Sequence, residues 1–207
     1  MSAASIIIRP GAVIVFEGLD QTGKSTQLKR LQAAVPANST VFAHMPSGFT
    51  TFTKQVYTAL EGVADAERPR SGLAQQLAHL ACHAEAICHL EEAVRTQSLI
   101  LDRWWWSTLA YGWYGGSVEQ SGLSESSFRE LVHTIWNPIV PSVVFIFLEP
   151  HLVDDNNTQG VKTGYRALID EHHDLTVIVP SAGEDATHTL ITDALLARGL
   201  ASIAEDA

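Results

Sequence analysis

Basic residues are scarce. Thirteen Lys and Arg stand against 23 Asp and Glu, a formal charge of −10, which repels polyanions unless the few cations gather in one pocket. Sequence-blind binding to duplex DNA is therefore disfavoured, though not excluded. Cysteine is scarcer. Cys82 and Cys88 lie six apart in what reads as one helix, a spacing that suits neither a zinc knuckle nor a disulfide framework, so two buried free thiols are expected. Long apolar runs are missing too. No stretch reaches the roughly 18 residues of a membrane span, and the start shows no basic region ahead of an apolar core, so a cytoplasmic protein with no membrane partner is expected. There is no internal repeat, charge run or Gly/Pro/Ser-rich linker to divide the 207 residues, and residues 1–207 read as one domain.

What is present is an alternation of two periods. Residues 12–16 (Ala-Val-Ile-Val-Phe) form a short apolar, β-branched run suited to the middle of a parallel sheet. A Gly-rich loop follows, and from Lys24 the spacing of Leu28 and Leu31 marks a helix that Pro36 and Asn38 stop. Further strands are expected at 40–43, 98–102, 142–148 and 176–179. Helices are expected at 51–60, 73–96, 105–111, 124–136, 162–170 and 186–198. In the longest helix the core stripe is read as Leu73, Leu77, Leu80, Ala84, Ile87 and Val94. Strands alternating with helices predict an α/β fold of three layers, a parallel sheet of about five strands with helices on both faces.

The loop Gly18-Leu19-Asp20-Gln21-Thr22-Gly23-Lys24-Ser25 has the form G-x-x-x-x-G-K-S, followed by Thr26. Its glycines let backbone N–H groups turn inward around phosphates, and the next helix aims its positive end at them. In such a loop Lys24 reaches the β- and γ-phosphates and Ser25 offers a hydroxyl to Mg²⁺, so ATP and Mg²⁺ are the expected ligands. Asp102 ends an apolar strand, which places its carboxylate at the carboxyl edge of a parallel sheet. It is the second metal candidate, the ordinary alternative being a cap on the next helix.

Residues 16–27, Phe-Glu-Gly through Ser25-Thr26-Gln27, together with Asp102-Arg103, Ser107 and Ala110-Tyr111, resemble the thymidylate kinase family. Weaker matches are Pro46 with Thr50 and Gly164-Tyr165-Arg166. The resemblance implies a P-loop NTPase fold and transfer of the γ-phosphoryl group of ATP to a deoxynucleoside monophosphate, with dTMP the default. It implies that Asp20 approaches the acceptor sugar, that Arg103 binds the acceptor phosphate, and that Ser107 and Tyr111 border the base. Lys24, Asp102 and Arg103 are then the catalytic candidates, and a homodimer is possible.

The chain also departs from that pattern. The position inside the loop where the family can carry an arginine is the neutral Gln21, and the segment 149–162, where an arginine-rich lid is expected, is short and acidic. Either Lys162 or Arg166 replaces the missing charge, a partner supplies it, or turnover is slow. His79 and His83 stand where the family has a Phe and an Arg for thymine. Four apart, on the side of the helix away from the Leu77, Leu80, Ala84 stripe, they are expected to face one pocket. Trp104, Trp105 and Trp106 cannot all face the core, since successive helix positions are about 100° apart, so at least one should line a pocket, a dimer face or a base-stacking surface. Two other readings stay open: a kinase for a hydroxyl on a nucleoside or a modified base such as 5-hydroxymethyluracil, with Asp102, Asp20 or Glu17 as base, and a nucleotide-binding protein with weak or no transfer.

Overall fold

The computed structural model describes residues 5–46, 49–61 and 69–204. The apolar runs become β2 (Val13–Gly18), β3 (Thr40–His44), β4 (Ser98–Asp102), β5 (Val143–Phe147) and β6 (Thr176–Val179). They pair in the order β3-β4-β2-β5-β6, all parallel. Both faces are covered, which is why β2 and β5 are buried at every position. Val13 and Val15 face a layer built from α3 (Gly72–Thr96), α5 (Glu125–Trp136) and α6 (Gln159–Glu171). Ile14 and Phe16 point the other way, toward α1 (Lys24–Ala34) and α7 (Glu184–Ala197). The expected three-layer architecture is present.

A small sheet was not legible. β1 (Ile6–Ile8) pairs antiparallel with β7 (Ala201–Ile203), and Ile6 and Ile8 bury themselves in the α1/α7 layer. Three residues are too few to show a period, and only the return of the chain's end reveals the pairing.

Four expectations need correcting. The buried face of α3 is not the Leu77/Ala84 stripe: Leu77 is 45% exposed and Ala84 is exposed, while Leu80, His83, Ala86, Ile87, Leu90 and Ala93 are buried. The face is rotated by roughly 80° because α2 (Thr51–Glu61) and α5 both pack on it, burying small and polar residues that a count of large apolar ones ignores. His83 therefore belongs to the buried face, not the opposite one. Cys82 is buried and Cys88 exposed, since six helical positions turn a side chain through about 240°.

The tryptophans are the third case. Trp104, Trp105 and Trp106 are all buried, at 6%, 5% and 0%. Trp104 is extended and only caps the short α4 (Trp105–Ser107), so the three do not share one helical wheel, and α5 and α6 enclose the turn. Finally, the helix expected at 105–111 runs on to Tyr114 as a π-helix, Thr108–Tyr114.

Candidate phosphate loop and acceptor cleft

The loop begins where β2 runs out. Gly18 has φ +127°, and a Cβ there would stand 2.0 Å from the Phe147 carbonyl oxygen of β5, so only glycine fits. Gly23, at φ +88°, precedes α1 and leaves its N-terminus without a side-chain cap. An uncapped helix start at the end of a glycine-bounded loop suits a polyphosphate. The Lys24 ammonium lies inside this loop, donating to the carbonyls of Gly18 (3.3 Å) and Leu19 and to Thr22 Oγ1 (3.3 Å). Burial, then the Arg103 charge, pulls its pKa down to about 8 against the pull of Asp20, Asp102 and Glu17. Ser25 is exposed and Thr26 half-buried in the first turn, so the Ser25 hydroxyl is open to a metal or phosphate. Gln21 adopts φ +60° and accepts the backbone N–H of His151 at 2.7 Å, which ties the 149–158 segment to the loop.

β4 delivers Asp102 and Arg103 beside that loop. Asp102 does not cap α4, whose cap position is Trp104. Instead its Oδ2 meets His44 Nδ1 at 3.0 Å, because His44 and Asp102 are register partners at the ends of β3 and β4. Burial alone would raise the Asp102 pKa. The hydrogen bond and charge of His44, with Arg103 and Lys24, bring it below the ordinary value, so the carboxylate stays ionised and fit for a cation.

Arg103, at φ +71°, turns its guanidinium onto Asp20 and onto Ser107 Oγ (2.9 Å) and the Gly18 carbonyl (3.3 Å). Its charge also lies 5.2 Å above the Tyr111 ring. Asp20 and Arg103, expected to touch different parts of an acceptor, thus hold each other.

Asn157 escaped sequence reading, and Glu17, read only as a possible base, has a different place in this cluster. Asn157 grips the Asp20 backbone from both sides, accepting its N–H at 2.9 Å and donating to its carbonyl at 3.0 Å. Glu17 is fully buried; its Oε1 accepts the N–H groups of Trp104 (2.7 Å) and Ser107 (3.0 Å), its Oε2 the hydroxyls of Ser107 (2.6 Å) and Tyr165 (2.9 Å). Burial raises its pKa, opposed by Arg103 and by those hydrogen bonds. Glu17 thereby fixes the turn after β4 to β2 and α6. His44 had a signal, since it ends a strand as Asp102 does. Asn157 had none, lying in an irregular segment.

All six acceptor-side candidates, Asp20, His79, His83, Arg103, Ser107 and Tyr111, line one cleft of about 530 Å³. Trp104 lines it as well, as expected of at least one tryptophan. His79 Nε2 lies 3.6 Å from Glu61 Oε1, and His83 Nδ1 is taken by Trp136, a residue no motif singled out. Among the described residues no group of three or more His, Cys, Asp or Glu side chains could hold a metal ion. Neither Lys162 nor Arg166 lines the cleft, and Arg166 is exposed. Ser47 and Gly48, in the loop read as lacking the family's charges, lie outside the described residues.

A strand, a glycine-bounded loop and a helix at the carboxyl edge of a five-stranded parallel sheet, helices on both faces, define a P-loop NTPase fold. The family model for thymidylate kinase matches residues 16–147, and the chain belongs to that family. It is 26% identical over 151 residues to the thymidylate kinase of Prochlorococcus marinus, covering 68% of this chain and 65% of that relative's length. Among solved structures it resembles thymidylate kinase from Ehrlichia chaffeensis, with a TM-score of 0.70 at 21% identity, covering 91% of this chain and 100% of that one. The Candida albicans thymidylate kinase gives 0.68 at 17% identity, covering 98% of this chain and 97% of that one. Among the described residues no helix is long and apolar enough to cross a membrane.

Proposed function

We propose that the protein is a nucleotide kinase, moving the γ-phosphoryl group of ATP to the phosphate of a deoxynucleoside monophosphate, dTMP or a close relative. One observation carries the reading: the uncapped P-loop and the Arg103-lined cleft meet at the carboxyl edge of one sheet, joined through Asp20. An acceptor phosphate oxygen attacks the γ-phosphorus. The bond from that phosphorus to the β,γ-bridging oxygen breaks, and ADP leaves with the electron pair. Gly18 to Thr26 cradle the donor phosphates, Lys24 offsets the charge on the leaving oxygen, and Arg103 holds the acceptor phosphate. Ser25 and Asp102 are the residues that would hold Mg²⁺, which when bound offsets charge on the transferred group.

A hydroxyl acceptor fits less well, because it needs a base. Both Glu17 oxygens are saturated with donors, and Asp20 and Asp102 are paired with Arg103 and His44. A phosphate acceptor needs none. ADP release measured against nucleoside monophosphates, nucleosides and hydroxymethylated DNA tests the choice. Turnover of a monophosphate is expected, with Arg103→Ala raising the acceptor KM by about tenfold or more. An unchanged KM for every monophosphate would hand the site to the hydroxyl reading.

A further inference from the structure

His83 lies on the buried face of α3 and lines the cleft. Its Nδ1 receives a hydrogen bond from Trp136 Nε1 at 3.2 Å, the two rings meeting edge-on at 5.2 Å. An indole N–H only donates, so the ring nitrogen that receives it carries a lone pair and the imidazole proton sits on Nε2. Trp136 is itself held, 2% exposed at the end of α5 and packed edge-on against Trp104 at 6.3 Å. Nε2 has no hydrogen-bond partner among the described residues.

We propose that Trp136 is a positioning residue that fixes His83 as a one-way donor to the acceptor's base, so the cleft takes bases with a carbonyl at that edge and rejects those with an amino group there. The proposal rests on the nucleotide-kinase reading. Thymine, uracil and guanine satisfy the donor. The amino groups of cytosine and adenine would leave two desolvated donors face to face. A protonated ring would donate from both nitrogens and lose the Trp136 bond. That form is suppressed because burial, aided by the nearby His79, pushes the His83 pKa down to about 3.

The full-length chain is assayed for kcat/KM on dTMP, dUMP and dGMP against dCMP and dAMP. The wild type is expected to prefer the carbonyl bases by about tenfold or more. Trp136→Phe keeps an aromatic ring and removes the N–H, freeing Nε2 to accept. It should lower that preference by about tenfold while KM for ATP moves less than about twofold, whereas a merely structural role would depress all acceptors together. If that variant fails to fold, His83→Gln, whose amide can rotate to donate or accept, should show the same loss of preference. Long-range ¹H–¹⁵N correlation should show wild-type His83 neutral with its proton on Nε2. A proton on Nδ1, or a preference unchanged in the foldable variant, overturns the proposal. Failure to turn over any monophosphate overturns the nucleotide-kinase reading itself, and the base selection with it.

Discussion

At the scale of single residues, charge and burial decide more than the motif does. Lys24 reads from sequence as a residue aimed at ligand, yet it is buried among the carbonyls of its own loop. Replacing it with Ala removes those hydrogen bonds and also relieves the burial of a cation, and the two effects oppose each other. Lys24→Ala is thus expected to change unfolding free energy by no more than about 1–2 kcal/mol while kcat falls by on the order of 10²–10³. Urea titration beside a turnover assay checks both, and retained kcat would remove Lys24 from the mechanism.

His83 gives a pH prediction. Its folded pKa, about 3, lies below the ordinary imidazole value, so the unfolded chain binds one proton more as pH falls through roughly 6.5. Stability from this group is full above that pH and lost as pH falls toward 3, at up to about 1.4 kcal/mol per pH unit. His172 and His188 shift in the same direction. Between about pH 6.5 and 5 the slope should therefore drop by about one proton in His83→Gln. An equal slope in both proteins would mean that His83 is already accessible to protons.

At the scale of elements, the site is a set of strand ends. Gly18 faces Phe147 in register across β2 and β5, and the space a Cβ would need is filled by backbone that cannot swing aside. Gly18→Ala should cost at least about 3 kcal/mol or prevent folding, seen as a lower Tm or lost soluble yield. A loss under about 1 kcal/mol would show that β5 gives way. The P-loop, β4 and their order were legible because β-branched runs and the glycine spacing are local signals. The buried face of α3 was not. It depends on α2 and α5, whose packing places Ala86 and Ala93 inside and leaves Leu77 out.

At the scale of the whole molecule, a charge of −10 surrounds a cleft in which Arg103, the one arginine lining it among the described residues, is already paired with Asp20. Duplex DNA meets a repulsive surface with no free cationic stripe along the described cleft. Fluorescence anisotropy at about 0.15 M salt should detect no binding to plain or hydroxymethylated duplex. Binding that weakens steeply with salt would instead point to a basic surface that the cleft does not contain.

The sequence alone determined the layer order, the P-loop and the roles its residue types can play, since those rest on spacing along the chain. Tertiary structure alone decided which side chains hold one another. His44 reaches Asp102 because β3 and β4 are in register, and Asn157 grips Asp20 across 137 positions of chain. Trp136 reaches His83 because α5 packs on α3. Each is a polar contact between distant segments, set by how layers dock, and no local periodicity records it.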